Sequence, residues 1–123
     1  MADKKTILIV DDEAFIQRSL QFVLKKTGHK IVTAADGDQA IEKAKAAKPD
    51  LIFLDIMMPK KDGFEVLKEL REDDELKDVH VIMLTGKGRD QDRQKGMDLG
   101  ANDFLTKPFV PSQLFKMAKQ ILG

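Results

Sequence analysis

The chain has 123 residues, enough for one domain with its own core, and 42% hydrophobic with 34% charged residues is the composition of a folded chain. Lys plus Arg (21) balances Asp plus Glu (21), which argues against a general nucleic-acid binder, and the lack of cysteine excludes disulfides, thiol nucleophiles and zinc–thiolate sites. No apolar run approaches the ~18 residues of a membrane span, and the polar start Met1-Ala2-Asp3-Lys4-Lys5 does not read as a signal peptide, so a cytoplasmic chain without membrane contact is expected.

Thr6 to Val10 is a continuous apolar, β-branched run, the pattern of a strand covered on both faces. After Asp11-Asp12, Ala14 to Lys26 carries Ile16, Leu20 and Leu24 four apart and predicts a helix, stopped at Thr27-Gly28 by a left-handed cap. Ile31 to Ala34 is a second strand. Asp36 is placed to cap a helix from Gly37 to Ala47, which buries Ala40, Ile41, Ala44 and Ala47 and cannot pass Pro49. Leu51 to Leu54 is a third strand, ended by Asp55. Met58 to Gly63 is a loop, and Phe64 to Arg71 is a helix with Phe64, Leu67 and Leu70 on one side. Val79 to Leu84 is a fourth strand, ended by Thr85, and Gly86-Lys87-Gly88 is a loop. Arg89 to Leu99 predicts a weak helix. Met97 and Leu99 are its sizeable apolar residues, and Gly96 inside it costs ~1 kcal/mol against Ala. Phe104 to Thr106 is a fifth strand before Lys107-Pro108, and Pro111 to Leu122 is a last helix burying Leu114, Met117, Ala118 and Ile121.

Strict alternation of strand and helix implies an α/β fold, a parallel sheet with right-handed crossovers and helices on both faces. Function in such sheets lies at the carboxyl ends of the strands. There the chain places Asp11 and Asp12, Asp55, Thr85 and Lys107. A single aspartate would read as a loop or cap acid. Carboxylates gathered at one rim repel one another, and a divalent cation resolves the repulsion. Oxygen ligands without His or Cys favour Mg²⁺ or Mn²⁺. A carboxylate beside such an ion can attack a phosphoryl group and become an acyl phosphate, with Lys107 and the Thr85 hydroxyl to meet the added charge.

The motifs Ile-Leu-Ile-Val-Asp-Asp-Glu (7–13), Leu-Ile-Phe-Leu-Asp-Ile-Met-Met-Pro (51–59), Gly63-Phe64-Glu65, Met-Leu-Thr-Gly (83–86) and Gly-Ala-Asn-Asp-Phe-Leu-Thr-Lys-Pro-Phe (100–109) resemble the receiver domain of two-component response regulators, in family order and spacing across essentially the whole chain. The resemblance implies a flavodoxin-like, doubly wound sheet of order 2-1-3-4-5. It implies Asp55 as phosphoacceptor, with Asp12, Asp55 and the Met57 backbone carbonyl holding Mg²⁺ and Asp11 assisting. It further implies Thr85 as switch hydroxyl, Lys107 as phosphate-pairing cation and a cis Lys107–Pro108 bond. The expected partners are a sensor histidine kinase or histidine phosphotransfer protein as phosphodonor, and a protein target on the face of the fourth helix, fifth strand and last helix. One receiver domain over 1–123 with no output domain is expected, a chemotaxis-regulator-like switch without direct nucleic-acid contact. It is a phosphoacceptor rather than an enzyme, with only weak self-phosphorylation and self-dephosphorylation. The last helix lacks Arg to complete a charged face with Asp98 and Asp103, so a monomer is expected.

Phosphorylation is expected to draw Thr85 toward the phosphoryl oxygens and Phe104 inward behind it. Many family members carry Tyr at that place. Phe loses a polar anchor outside and costs less desolvation inside, which predicts a larger active-like population before phosphorylation. Met57 and Lys87 flank the path of attacking water; Met57 shields and Lys87 adds charge without acting as a base, a pairing that predicts slow hydrolysis. Gly86-Lys87-Gly88 is not a phosphate loop, and no dinucleotide motif follows the first strand. His29 and His80 read as structural or surface residues, and Lys25-Lys26 and Lys60-Lys61 as solvated charges. The rival enzyme reading, a haloacid-dehalogenase-type phosphatase, requires a second Asp two residues on, where Glu13 follows Asp11. A receiver fold kept as a binding scaffold has no use for clustered carboxylates.

Overall fold

The computed structural model describes residues 4–86 and 90–123. The kinetic role expected of Lys87 and the helix start at Arg89 lie outside the described residues. The strands are β1 (Thr6–Val10), β2 (Lys30–Ala34), β3 (Leu51–Asp55), β4 (His80–Gly86) and β5 (Asp103–Lys107). The helices are α1 (Ala14–Leu24), α2 (Gly37–Ala47), α3 (Gly63–Glu72), α4 (Asp90–Asp98) and α5 (Pro111–Leu122). The strands form one parallel sheet of order β2-β1-β3-β4-β5.

Each strand's two side-chain rows feed different cores. Leu8, Val10, Ile52, Leu54, Val81 and Met83 pack with residues of α2 and α3. Ile7, Ile9, Leu51, Phe53, Ile82, Leu84 and Leu105 pack with α1 and α5. This is why β1, β3 and β4 are apolar without alternation: both rows are buried. The edge strands β2 and β5 are only partly covered.

Local chemistry bounds the helices. Asp36 Oδ1 accepts from Gln39 N at 2.8 Å and caps α2, which ends with Lys48 in the left-handed region ahead of Pro49. Asp62 and Glu65 form a capping box at α3. The first helix stops at Leu24, two residues earlier than its periodicity predicts. The chain tightens into a 3₁₀ turn over Lys25–Thr27 and leaves through Gly28 at φ 82°. In α4 the expected anchor Met97 is 56% exposed, and the buried residue is Gly96. A short polar helix approaches the sheet where it has least side chain, not where it is most apolar. Among the described residues, no helix is long and apolar enough to cross a membrane.

Candidate functional site

Parallel register delivers the strand-end residues to one rim. Asp11 follows β1 directly and stays in line with it, because its N–H donates to Ala34 O at 3.1 Å. Val10 pairs with Leu54, so Asp11 comes up beside Asp55, the last residue of β3. Asp55 pairs with Leu84, Thr85 with Thr106 and Gly86 with Lys107. Because side chains alternate along a strand, Asp55 continues the row of Phe53 and Lys107 the row of Leu105, on the α1/α5 side. Thr85 continues the row of Met83 on the other side, the side against which Phe104 packs.

Carboxylate oxygens of Asp11, Asp12 and Asp55 lie within 4.8 Å of one another. Asp11 is fully buried and Asp55 is 5% exposed, whereas Asp12 faces solvent. Lys107 Nζ lies 2.8 Å from Asp11 Oδ2 and 3.2 Å from Asp55 Oδ1, with Glu13 Oε1 at 3.9 Å. Burial and then the Asp11 charge push the Asp55 carboxyl up to about 6, against the opposing pull of Lys107. Burial by itself lowers Lys107, but hydrogen bonding and charge from Asp11 and Asp55 outweigh it and hold the ammonium above its ordinary value. One ammonium thus incompletely neutralises three acids. The donor set, oxygen atoms with one open to solvent, fits a hard divalent cation such as Mg²⁺. Neither histidine is near it: His29 Nδ1 accepts from Lys5 N, and His80 Nε2 pairs with Asp103 Oδ2 at 3.0 Å.

Thr85 is 3% exposed, yet among the described residues its hydroxyl has only a long 3.4 Å contact to Gly86 O. Met57 stands 67% exposed at the rim. The Lys107–Pro108 peptide bond is cis.

Several residues that shape the site carried no role in the sequence reading. Gln17 Nε2 donates to both Asp11 O (2.8 Å) and Ala34 O (2.9 Å), tying the elbow after β1 to the end of β2. An apolar-faced helix with a polar residue in its first turns was the available signal. Gly63 packs against the end of β3: a Cβ there would meet Asp55 O and lie 2.9 Å from Ile56 Cα. Its N–H donates to Ile56 O at 2.8 Å, closing the loop after β3. Lys60 and Lys61 were expected as solvated charges; Lys60 stays exposed, whereas Lys61 is partly buried and partnered. Lys60 Nζ reaches Asp36 at 4.0 Å, and Lys61 Nζ reaches Glu69 at 2.5 Å and Asp38 at 3.9 Å, joining α2, the loop and α3. The reason is that α2 begins with Gly37 flush against Lys61, which brings the acids of its first turn to the loop.

The family described as the response regulator receiver domain matches this chain over residues 7–119. The alkaline phosphatase synthesis transcriptional regulatory protein PhoP of Bacillus subtilis is 46% identical over 118 residues, covering 96% of this chain and 48% of that protein. The phosphate regulon transcriptional regulatory protein PhoB of Escherichia coli is 39% identical, covering 96% of this chain and 52% of its own length. The chain therefore spans about half the length of these relatives. Among solved structures, a putative response regulator from Chloroflexus aurantiacus has a TM-score of 0.92 at 34% identity, with 98% of each chain covered. The chemotaxis response regulator CheY4 of Vibrio cholerae has a TM-score of 0.90 at 35% identity, covering 98% of this chain and 100% of its own. With the family match spanning nearly all of the sheet and helices just described, the chain belongs to the response regulator receiver domains of two-component systems.

Proposed function

We propose that the chain is a phosphoacceptor switch in which Asp55 is the acceptor. The observation that carries this is the clustering of three carboxylates within 4.8 Å around the Lys107 ammonium. Asp55 Oδ attacks the phosphorus of a phosphohistidine on a sensor kinase or phosphotransfer protein; the P–N bond breaks, an acyl phosphate forms and the imidazole leaves with a proton. Asp11, Asp12, Asp55 and the Met57 backbone carbonyl would hold Mg²⁺, or Mn²⁺ in its place. The ion would supply the positive charge that Lys107 alone cannot. Lys107 pairs with the phosphoryl oxygens.

Thr85 is the switch hydroxyl: buried, and held by a contact weak enough to exchange for a phosphoryl oxygen. Phe104 lies on the same face of the sheet and follows it. The target then reads the α4–β5–α5 face. The phosphodonor protein has an apolar landing place at the same rim. Phe15 and Phe22 of α1 are 72% and 69% exposed, and with Phe109 and Pro111 they line a groove of about 370 Å³.

Incubation with acetyl phosphate and Mg²⁺ is expected to consume about one equivalent of donor per chain and then continue only slowly. Rapid steady turnover of phosphate esters would mark a phosphatase instead. Met57 shields the acyl phosphate, so Met57→Asn is expected to shorten its half-life; equal decay in the two proteins would remove the shielding role.

A further inference from the structure

Gly96 is unexplained by helix formation and by phosphoryl chemistry. It sits inside a nine-residue helix of low apolar content, where Ala would be better by ~1 kcal/mol. It is also the buried residue of α4. A Cβ on Gly96 would lie 2.9 Å from both Cε1 and Cζ of Phe104, and 3.7 Å from Met83 Cγ. The distal edge of the Phe104 ring therefore occupies the space a side chain at 96 would need. Met83 is the cross-strand partner of Phe104 and lies beneath the same spot. Arg93, one turn earlier on the helix, places its guanidinium 5.5 Å from the ring centroid. Phe104 is thus flanked by β4 below, Gly96 beside its tip and Arg93 over its ring.

We infer that Gly96 is a positioning residue of the switch. Its missing side chain is the seat for the Phe104 ring, so the ring's place and the approach of α4 to the sheet are one coupled variable. This rests on the reading of Phe104 as part of the switch. α4 has few apolar contacts of its own, so whatever seats or unseats the ring also fixes or frees the helix that the target reads. The residue class at 96 then matters for signalling: glycine admits the ring, and any larger residue displaces it.

The test is a double-mutant cycle of Gly96→Ala and Phe104→Ala with two readouts, urea unfolding and equilibrium binding of beryllofluoride in Mg²⁺ as a phosphoryl mimic. In the wild-type background Gly96→Ala is expected to lower the unfolding midpoint, against helix propensity. In the Phe104→Ala background, with the seat empty, it is expected to raise the midpoint. Gly96→Ala is expected to weaken beryllofluoride binding about five-fold, with Mg²⁺ affinity unchanged, and to have no effect when Phe104 is already Ala. A midpoint raised equally in both backgrounds would overturn the seat. A non-additive midpoint with unchanged beryllofluoride affinity would reduce it to packing and overturn the positioning role. Wild type that binds no beryllofluoride would defeat the phosphoacceptor reading itself, while the unfolding cycle would still report on the seat.

Discussion

Asp55 sits at the end of a fully buried strand, between a buried acid and a half-buried ammonium, and its protonation is tied to stability. Its carboxyl is raised from 3.8 to about 6, chiefly by burial and by Asp11. In protein stripped of divalent cations the folded state therefore binds this proton more tightly than the unfolded chain does. The resulting stability is present in full below about pH 4 and is lost as pH rises through about 6. Asn at 55 never ionises. Asp55→Asn is expected to exceed wild type in stability by about 1–2 kcal/mol at pH 7.5, after screening at the solvent-open rim, and to match it near pH 4. Urea unfolding with a chelator at both pH values checks this. That Asp11, Asp12, Asp55 and Lys107 meet at one rim was legible, because a polar residue ending an apolar strand stands out. The division of labour was not: Asp11 and Asp12 are adjacent and chemically alike, yet the hydrogen bond of Asp11 N to Ala34 O keeps one in the sheet and buries it while the next turns to solvent. Gly96 was legible only as a cost, because its benefit lies in Phe104, reached through the tertiary fold.

The strands and most helices could be read because both faces of the sheet are covered. Coverage writes continuous apolar runs into β1, β3 and β4 and a four-residue spacing into α1 and α5. α4 was legible as a weak helix but its buried face was not, because its contact with the sheet goes through a residue without a side chain. The loops between elements were legible as loops but not as joints. Gly63→Ala places a Cβ against the backbone of Asp55 and Ile56, which has no rotamer to yield. It is expected to cost about 3 kcal/mol or more in urea unfolding. Arg71 is the other joint. Its guanidinium donates to the carbonyls of Gly100, Lys77 and Val79 and to Asn102 Oδ1, which itself accepts from Val81 N. Arg71→Leu leaves these acceptors without their donor. A loss of about 1–3 kcal/mol is expected, with faster amide exchange at Val81 and Asn102.

At the scale of the molecule, one sheet holds an acidic rim whose like charges Lys107 only partly offsets, so they cost stability until a further cation meets them. Under the proposed function, stability and signalling are linked through the same three carboxylates. Mg²⁺ is expected to raise the melting temperature of wild type, and much less that of Asp12→Ala, since binding to the folded state alone stabilises it. A parallel sheet covered on both faces was legible from strand–helix alternation, whereas its order 2-1-3-4-5 came from the resemblance to receiver domains. The open groove beside α1 and the seat under α4 were not legible, because they arise from which helix faces meet. The most direct test of the whole is the intact mass of the chain after incubation with acetyl phosphate and Mg²⁺, beside Asp55→Asn and a chelated sample. The expected result is one added phosphoryl group on wild type and none on either control. No addition to wild type, or an addition that survives Asp55→Asn, would contradict Asp55 as the acceptor.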